Sequence, residues 1–78
     1  MPTIDRRGPY RIFFYSNEGD EPAHVHVERD DKVAKFWLDG LRLADAGRFS
    51  KREIVRIREL VGENLATYWN DWNEYFDA

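Results

Sequence analysis

From Ile54 to Phe76 the chain repeats apolar residues at a spacing that no strand can use. Ile54, Ile57, Val61, Leu65, Tyr68, Trp69, Trp72, Tyr75 and Phe76 fall within an arc of about 120° on a helical wheel, the width of a stripe that faces a core. Arg52, Arg56, Glu59, Glu63, Asn70 and Glu74 take the opposite side. Ser50 followed by Glu53 has the spacing of a capping box, in which each side chain satisfies a free backbone donor of the first turn. The pattern predicts one helix over about 51–76. At 1.5 Å per residue such a helix would run ~39 Å, whereas a six-residue strand runs only ~20 Å. The stripe therefore outruns any sheet it covers. Its aromatic end (Trp69, Trp72, Tyr75, Phe76) needs cover, either from a bend near Gly62 or from a second molecule, because a large bare aromatic patch is costly in water.

The sheet is written upstream. Residues 1–9 read as a polar lead-in ending at Gly8-Pro9. Tyr10-Arg11-Ile12-Phe13-Phe14-Tyr15-Ser16 is dense in aromatic and β-branched residues, which favour strands. Asn17 to Pro22 is a turn. Ala23-His24-Val25-His26-Val27-Glu28-Arg29 alternates with period two, so Val25 and Val27 share one face and His24, His26 and Glu28 the other. Asp30-Asp31-Lys32 leads tightly into Val33–Leu38, and Asp39-Gly40 is a hairpin signal before a short Leu41–Ala44 segment. Connections this short admit only antiparallel pairing. The expected fold is a single α+β domain over 1–78. A three- to four-stranded antiparallel sheet (about 10–16, 23–29, 33–38 and a short candidate at 41–44) is covered on one face by the long C-terminal helix. Val25 and Val27 should meet the helix, which turns both imidazoles outward.

Seventy-eight residues without cysteine exclude a disulfide staple, and a chain of this size buries only roughly 60% of its unfolded surface. Aromatic residues at 15% of the chain supply the compensating area. A net charge of −3 argues against general nucleic-acid binding. No stretch approaches the ~20 apolar residues of a membrane span, and the opening Met1–Arg7 has no apolar signal core, so the expectation is a cytoplasmic protein with no membrane role.

Three constellations could carry chemistry. His24-x-His26-x-Glu28 places two imidazoles and a carboxylate on one strand face, at ~6.6–6.8 Å between alternate Cα atoms. As ligands these would suit zinc or iron; without metal, His24 and His26 could serve as catalytic base and acid near neutral pH. The plain alternative is a polar strand face with each imidazole hydrogen-bonded or stacked, and no further cofactor is expected. Arg48, Lys51 and Arg52, with Arg56 and Arg58, cluster at the helix start, while Glu59–Ala78 holds five acids and no Lys or Arg. That order opposes the helix dipole. It leaves either a phosphate or anion site for an RNA backbone, or a solvated face paired to nearby acids. Arg58 projects within the apolar arc, where it must snorkel or pair. The aromatic cluster Trp69, Trp72, Tyr75 and Phe76 reads first as core, with a share available to a partner or dimer interface.

Phe14-Tyr15-Ser16-Asn17-Glu18, Pro22-Ala23-His24-Val25-His26-Val27-Glu28, Ala34-Lys35-Phe36-Trp37-Leu38 and Trp72-Asn73-Glu74-Tyr75-Phe76 together resemble a family of small bacterial proteins catalogued as domain of unknown function 4160. Pro22-Ala23 stands where that family commonly has Pro-Pro, and Asp39-Gly40-Leu41 replaces a Pro-Val-like segment. The resemblance implies one half of a toxin–antitoxin-like gene pair, and hence a protein partner encoded nearby; it implies no catalytic residues. The leading expectation is an interaction protein acting with that partner or as a homodimer. Its competitor is a ribonuclease-like hydrolase using His24 and His26.

Overall fold

The computed structural model describes Thr3–Phe76; the Met1-Pro2 start of the lead-in lies outside the described residues. Five strands come first: β1 (Thr3–Arg7), β2 (Tyr10–Phe13), β3 (His24–Arg29), β4 (Lys32–Trp37) and, after one 3-10 turn at Asp39–Leu41, β5 (Arg42–Asp45). Two helices follow, α1 (Lys51–Glu63) and α2 (Leu65–Phe76). The strands form one antiparallel meander in the order β1-β2-β3-β4-β5. The α+β class is as expected, but the sheet has five strands rather than three to four and the helix is split.

Both differences have local causes. β1 lies within the polar lead-in, because an edge strand with one half-buried apolar residue, Ile4, gives no alternation to read. It pairs with β2 across a tight turn carrying Gly8 at φ 56°. The helix breaks at Asn64, where φ −115° and ψ 18° leave the helical region. Its side-chain amide donates to the Leu60 carbonyl at 2.9 Å, a local bond by which Asn competes with the helical ladder. Arg7 donates to the Asn64 side-chain oxygen at 3.0 Å, pinning the bend to β1. Gly62 lies two residues before it, and a Cβ there would sit 3.1 Å from Leu41. Close packing against the 3-10 turn therefore accounts for that glycine.

The core lies between one sheet face and the helices. Ile12, Val25, Val27, Ala34 and Phe36 point inward from β2, β3 and β4, and meet Ile54, Ile57, Val61, Tyr68 and Trp72. Val25 and Val27 thus face the helices. Arg58 is exposed, and its guanidinium lies 5.9 Å from the centre of the Phe36 ring, so its stem runs along the core edge while its charge stays in water.

Only half of the expected capping box forms. Ser50 accepts from the Glu53 backbone N–H at 3.1 Å, but the Glu53 carboxylate turns to the sheet instead. It accepts from Arg29 Nε at 2.6 Å and Nη2 at 2.8 Å, and from the Tyr10 hydroxyl at 2.8 Å. A paired guanidinium offers a charge-assisted, two-pronged partner that a backbone N–H cannot match. On the other helix, buried Tyr68 donates to Asp5 of β1 at 2.8 Å. Each helix is thereby tied to the sheet by one polar clasp.

Arg29 holds the Glu53 carboxyl at about 2, against 4.5 for a free glutamate. The folded state binds that proton less readily than the unfolded chain, so the clasp stabilises fully above pH 4.5 and is lost as pH falls towards 2. Glu53→Gln should lower the urea midpoint at neutral pH, and the gap from the parent chain should close as pH approaches 2. At Gly47, φ is +57° and an added Cβ would lie 1.6 Å from the Val33 carbonyl oxygen. Gly47→Ala should cost about 3 kcal/mol or more, through a left-handed backbone and a clash with β4, measurable by thermal denaturation.

Candidate functional site

His24 and His26 leave β3 on the face opposite Val25 and Val27, as strand alternation requires. The structure does not leave them open to solvent. The segment after β2 folds back over this face and lowers Glu18 onto both rings. His26 Nε2 lies 3.1 Å from each Glu18 carboxylate oxygen, and His24 Nε2 lies 3.0 Å from Oε1. The Glu18 carboxylate is itself held by the Tyr15 backbone N–H, which donates to Oε1 at 2.8 Å. Side-chain exposure is 0% for His24, 11% for His26 and 13% for Glu18.

Aromatic rings complete the enclosure. Phe13 stacks on His26 with centroids 5.2 Å apart, and Tyr15 meets the same ring edge-on at 5.1 Å. Trp37 flanks His24 at 5.5 Å, and Trp72 of α2 closes over it at 4.9 Å. The expectation of two outward imidazoles is therefore corrected at His24, where Trp72 of α2 lies against the ring and leaves it no exposed surface. The two rings are 5.1 Å apart and nearly perpendicular.

The protonation pattern follows from the partners. His24 Nδ1 lies 2.9 Å from the Pro22 carbonyl, and a carbonyl only accepts, so Nδ1 carries the proton. Nε2 of His24 then stands 3.0 Å from the Glu18 carboxylate. Nε2 is fully buried and makes no hydrogen bond, because its approach to Oε1, although short, lacks the alignment for one. Burial pushes the His26 pKa below 6.5, against the pull of Glu18. Glu18 is also buried, which raises a carboxylate, but the Tyr15 N–H and His26 outweigh that and hold its pKa below 4.5.

Glu18 is the residue that sequence periodicity missed. It stands six residues before His24 in a segment read as a turn, and only the fold-back shows its role. Glu28 was the carboxylate expected beside the imidazoles. It instead accepts from Arg11 of β2 at 2.8 Å, since register places Arg11 opposite it. Glu18, His24 and His26 are the group whose ligand atoms all lie within 4.8 Å of one another.

Arg48, at φ 72°, donates to the Asp31 carbonyl at 2.6 Å and lies 3.3 Å from its carboxylate. Lys51 and Arg52 stand exposed on the first turn of α1. Of the C-terminal aromatics, Trp72 is buried, Trp69 and Phe76 are half-buried, and Tyr75 is 47% exposed. Phe14 packs against Trp72, Tyr75 and Phe76 with centroids all 5.3 Å away, and Gly19 lies beneath Phe76. The chain's own residues thus cover Trp72 and half-bury Trp69 and Phe76, while Tyr75 stays exposed.

These features define a small α+β protein with a five-stranded meander, two helices and an enclosed His-Glu-His cluster. The chain belongs to the family described as Domain of unknown function (DUF4160), whose profile matches residues 10–73. No curated protein and no solved structure matches it. Among the described residues, no helix is long and apolar enough to cross a membrane.

Phe14 supports the enclosure from the core side. Phe14→Ala should cost about 3–5 kcal/mol, the range for emptying a buried aromatic site. It should also shift tryptophan emission to longer wavelength as water reaches Trp72, an outcome read from chemical denaturation and steady-state fluorescence.

Proposed function

We propose that the chain is an interaction protein of the cytoplasm, acting with a cognate protein partner in a toxin–antitoxin-like gene pair. The observation that carries this reading is an acidic, aromatic groove of ≈ 420 Å³ between β1 and α2, lined by Thr3, Ile4, Phe14, Asp71, Glu74 and Tyr75. Burial, then the nearby charges of Glu74 and Asp5, pushes the Asp71 pKa upward. Its negative charge is thus under-compensated, and no Lys or Arg occurs from Glu59 onward. Exposed Tyr75 adds an amphipathic ring of the kind that anchors interfaces. The complementary occupant is a Lys- or Arg-bearing segment of the partner. An RNA backbone carries the same sign as the groove and does not fit it.

A hydrolase built on His24 and His26 is less well supported, since substrate would have to reach a ring with no exposed surface. Neither the groove between β1 and α2 nor the one lined by Arg7, Tyr10 and Asn64 includes either histidine.

Co-expression with the product of the adjacent gene should give a stable heteromeric complex on size exclusion with light scattering. The double reversal Asp71→Lys/Glu74→Lys should weaken it at least about tenfold, whereas Asp71→Asn/Glu74→Gln should weaken it less and reduce its salt dependence. Two proteins that elute independently at micromolar concentration, or a complex indifferent to the reversal, would refute the reading. A homodimer with no affinity for the neighbour would refute it too.

A further inference from the structure

We propose that Glu18, His24 and His26 form a site for one divalent metal ion of zinc type, which locks the segment between β2 and β3 onto the outer face of the sheet. This lies beyond the partner-binding reading and rests on different residues.

The first argument is the orphaned nitrogen. His24 Nε2 is fully buried, makes no hydrogen bond, and stands 3.0 Å from a carboxylate oxygen. An unprotonated ring nitrogen and a carboxylate oxygen at that distance repel unless a proton or a metal ion is shared between them. A second acceptor-capable nitrogen, His26 Nε2, closes on the same carboxylate at 3.1 Å. An ion placed among the three satisfies every lone pair at once, with the His26 proton moving to its Nδ1.

The second argument is dimensional. Zinc–nitrogen bonds of ~2.0–2.1 Å in a tetrahedron put ligand atoms about 3.3 Å apart. The two nitrogen–oxygen separations of 3.0 and 3.1 Å are close to that value, and all three ligand atoms lie within 4.8 Å of one another, so the widest edge closes as the ion binds. Two imidazoles and a carboxylate are also a ligand set that zinc accepts. An octahedral ion such as iron would need three further positions, for which the ring of Phe13, Tyr15, Trp37 and Trp72 leaves little room.

The third argument is the surrounding support. Metal-bound histidines donate their other ring N–H to a carbonyl or carboxylate, and bound carboxylates are themselves hydrogen-bonded. His24 Nδ1 does so to Pro22 at 2.9 Å, and Glu18 Oε1 accepts from the Tyr15 N–H at 2.8 Å. The segment that carries Glu18 is further clasped by the ion pair of Glu21 with Lys35 at 2.8 Å. The chain holds its ligands as a prepared site would.

The test uses the full-length untagged protein, stripped of metal and titrated with Zn²⁺ and with Co²⁺ as a spectroscopic stand-in. The expected results are one Zn²⁺ per chain, visible d–d absorption with Co²⁺, and a Tm rise of about 10 °C at a hundredfold excess over Kd. Glu18→Gln keeps the side chain's shape and its contact to Tyr15, and should weaken Zn²⁺ binding at least about tenfold. His26→Gln should do the same. Imidazole ¹⁵N spectra of the wild type provide a reading that needs no variant, with both Nε2 signals moving on Zn²⁺ addition. Absence of saturable binding would overturn the proposal. So would affinity unchanged by Glu18→Gln, or a His24 that stays protonated on both nitrogens when Zn²⁺ is present.

Discussion

The long helical segment is interrupted at Asn64, and its aromatic end, which outruns a six-residue strand, lies against the chain's own residues. The turn is fixed on both sides. The Asn64 amide bonds Leu60 within the first helix, and its oxygen accepts from Arg7 in the edge strand. Beyond it, Tyr68 reaches Asp5 and Trp72 reaches Phe14 and His24. The groove beside β1 and the roof over His24 are both built from this second helix. A chain of 78 residues without cysteine has few other means of closing a core.

The outer face of the sheet shows how a two-layer protein keeps a second surface dry without a third layer. Long charged side chains lie flat across aromatic ones, with Arg11 4.2 Å from the Phe13 ring centre and Lys35 4.4 Å from that of Trp37. Such stacking covers apolar area while the charges stay hydrated. The segment between β2 and β3 then closes the remaining gap, and Glu18 is the side chain it inserts. A carboxylate among aromatic rings is expensive unless something positive or a donor meets it. The His26 ring and the Tyr15 N–H are what meet it here. The polarity of this small region is therefore forced by the way the sheet is roofed.

Much of this was legible in the residues. Period-two alternation in β3 placed Val25 and Val27 against the helices, and the apolar stripe located nearly every helical core residue. Such periodicities report burial directly. What escaped were features set by pairs of residues far apart in sequence. β1 has too few apolar residues to announce an edge strand. Asn64 reads as an ordinary polar position on a helix until Arg7 is known to lie beside it. Glu53 satisfied the spacing of a capping box, yet Arg29 and Tyr10 are stronger partners than a backbone N–H. Glu28 had the right register for the imidazoles, but its cross-strand neighbour Arg11 takes it, while Glu18 arrives from a turn that no periodicity describes. The carboxylate of the cluster was misread because strand geometry was visible and loop geometry was not.

The groove and the His-Glu-His cluster place opposite demands on negative charge, and this separates them physically. In the groove, Asp71 and Glu74 line an open surface of α2. In the cluster, Glu18 is enclosed, and its charge has to be met from within. Both lean on Phe14, which lines the groove and packs on the indole that roofs His24. A change at Phe14 therefore disturbs the two together and says nothing about either alone. Glu18 touches neither Asp71 nor Glu74 through any hydrogen bond or ion pair among the described residues, so each set can be neutralised separately. That independence makes the acidic groove and the buried cluster two distinct questions about one small fold, each answerable without the other.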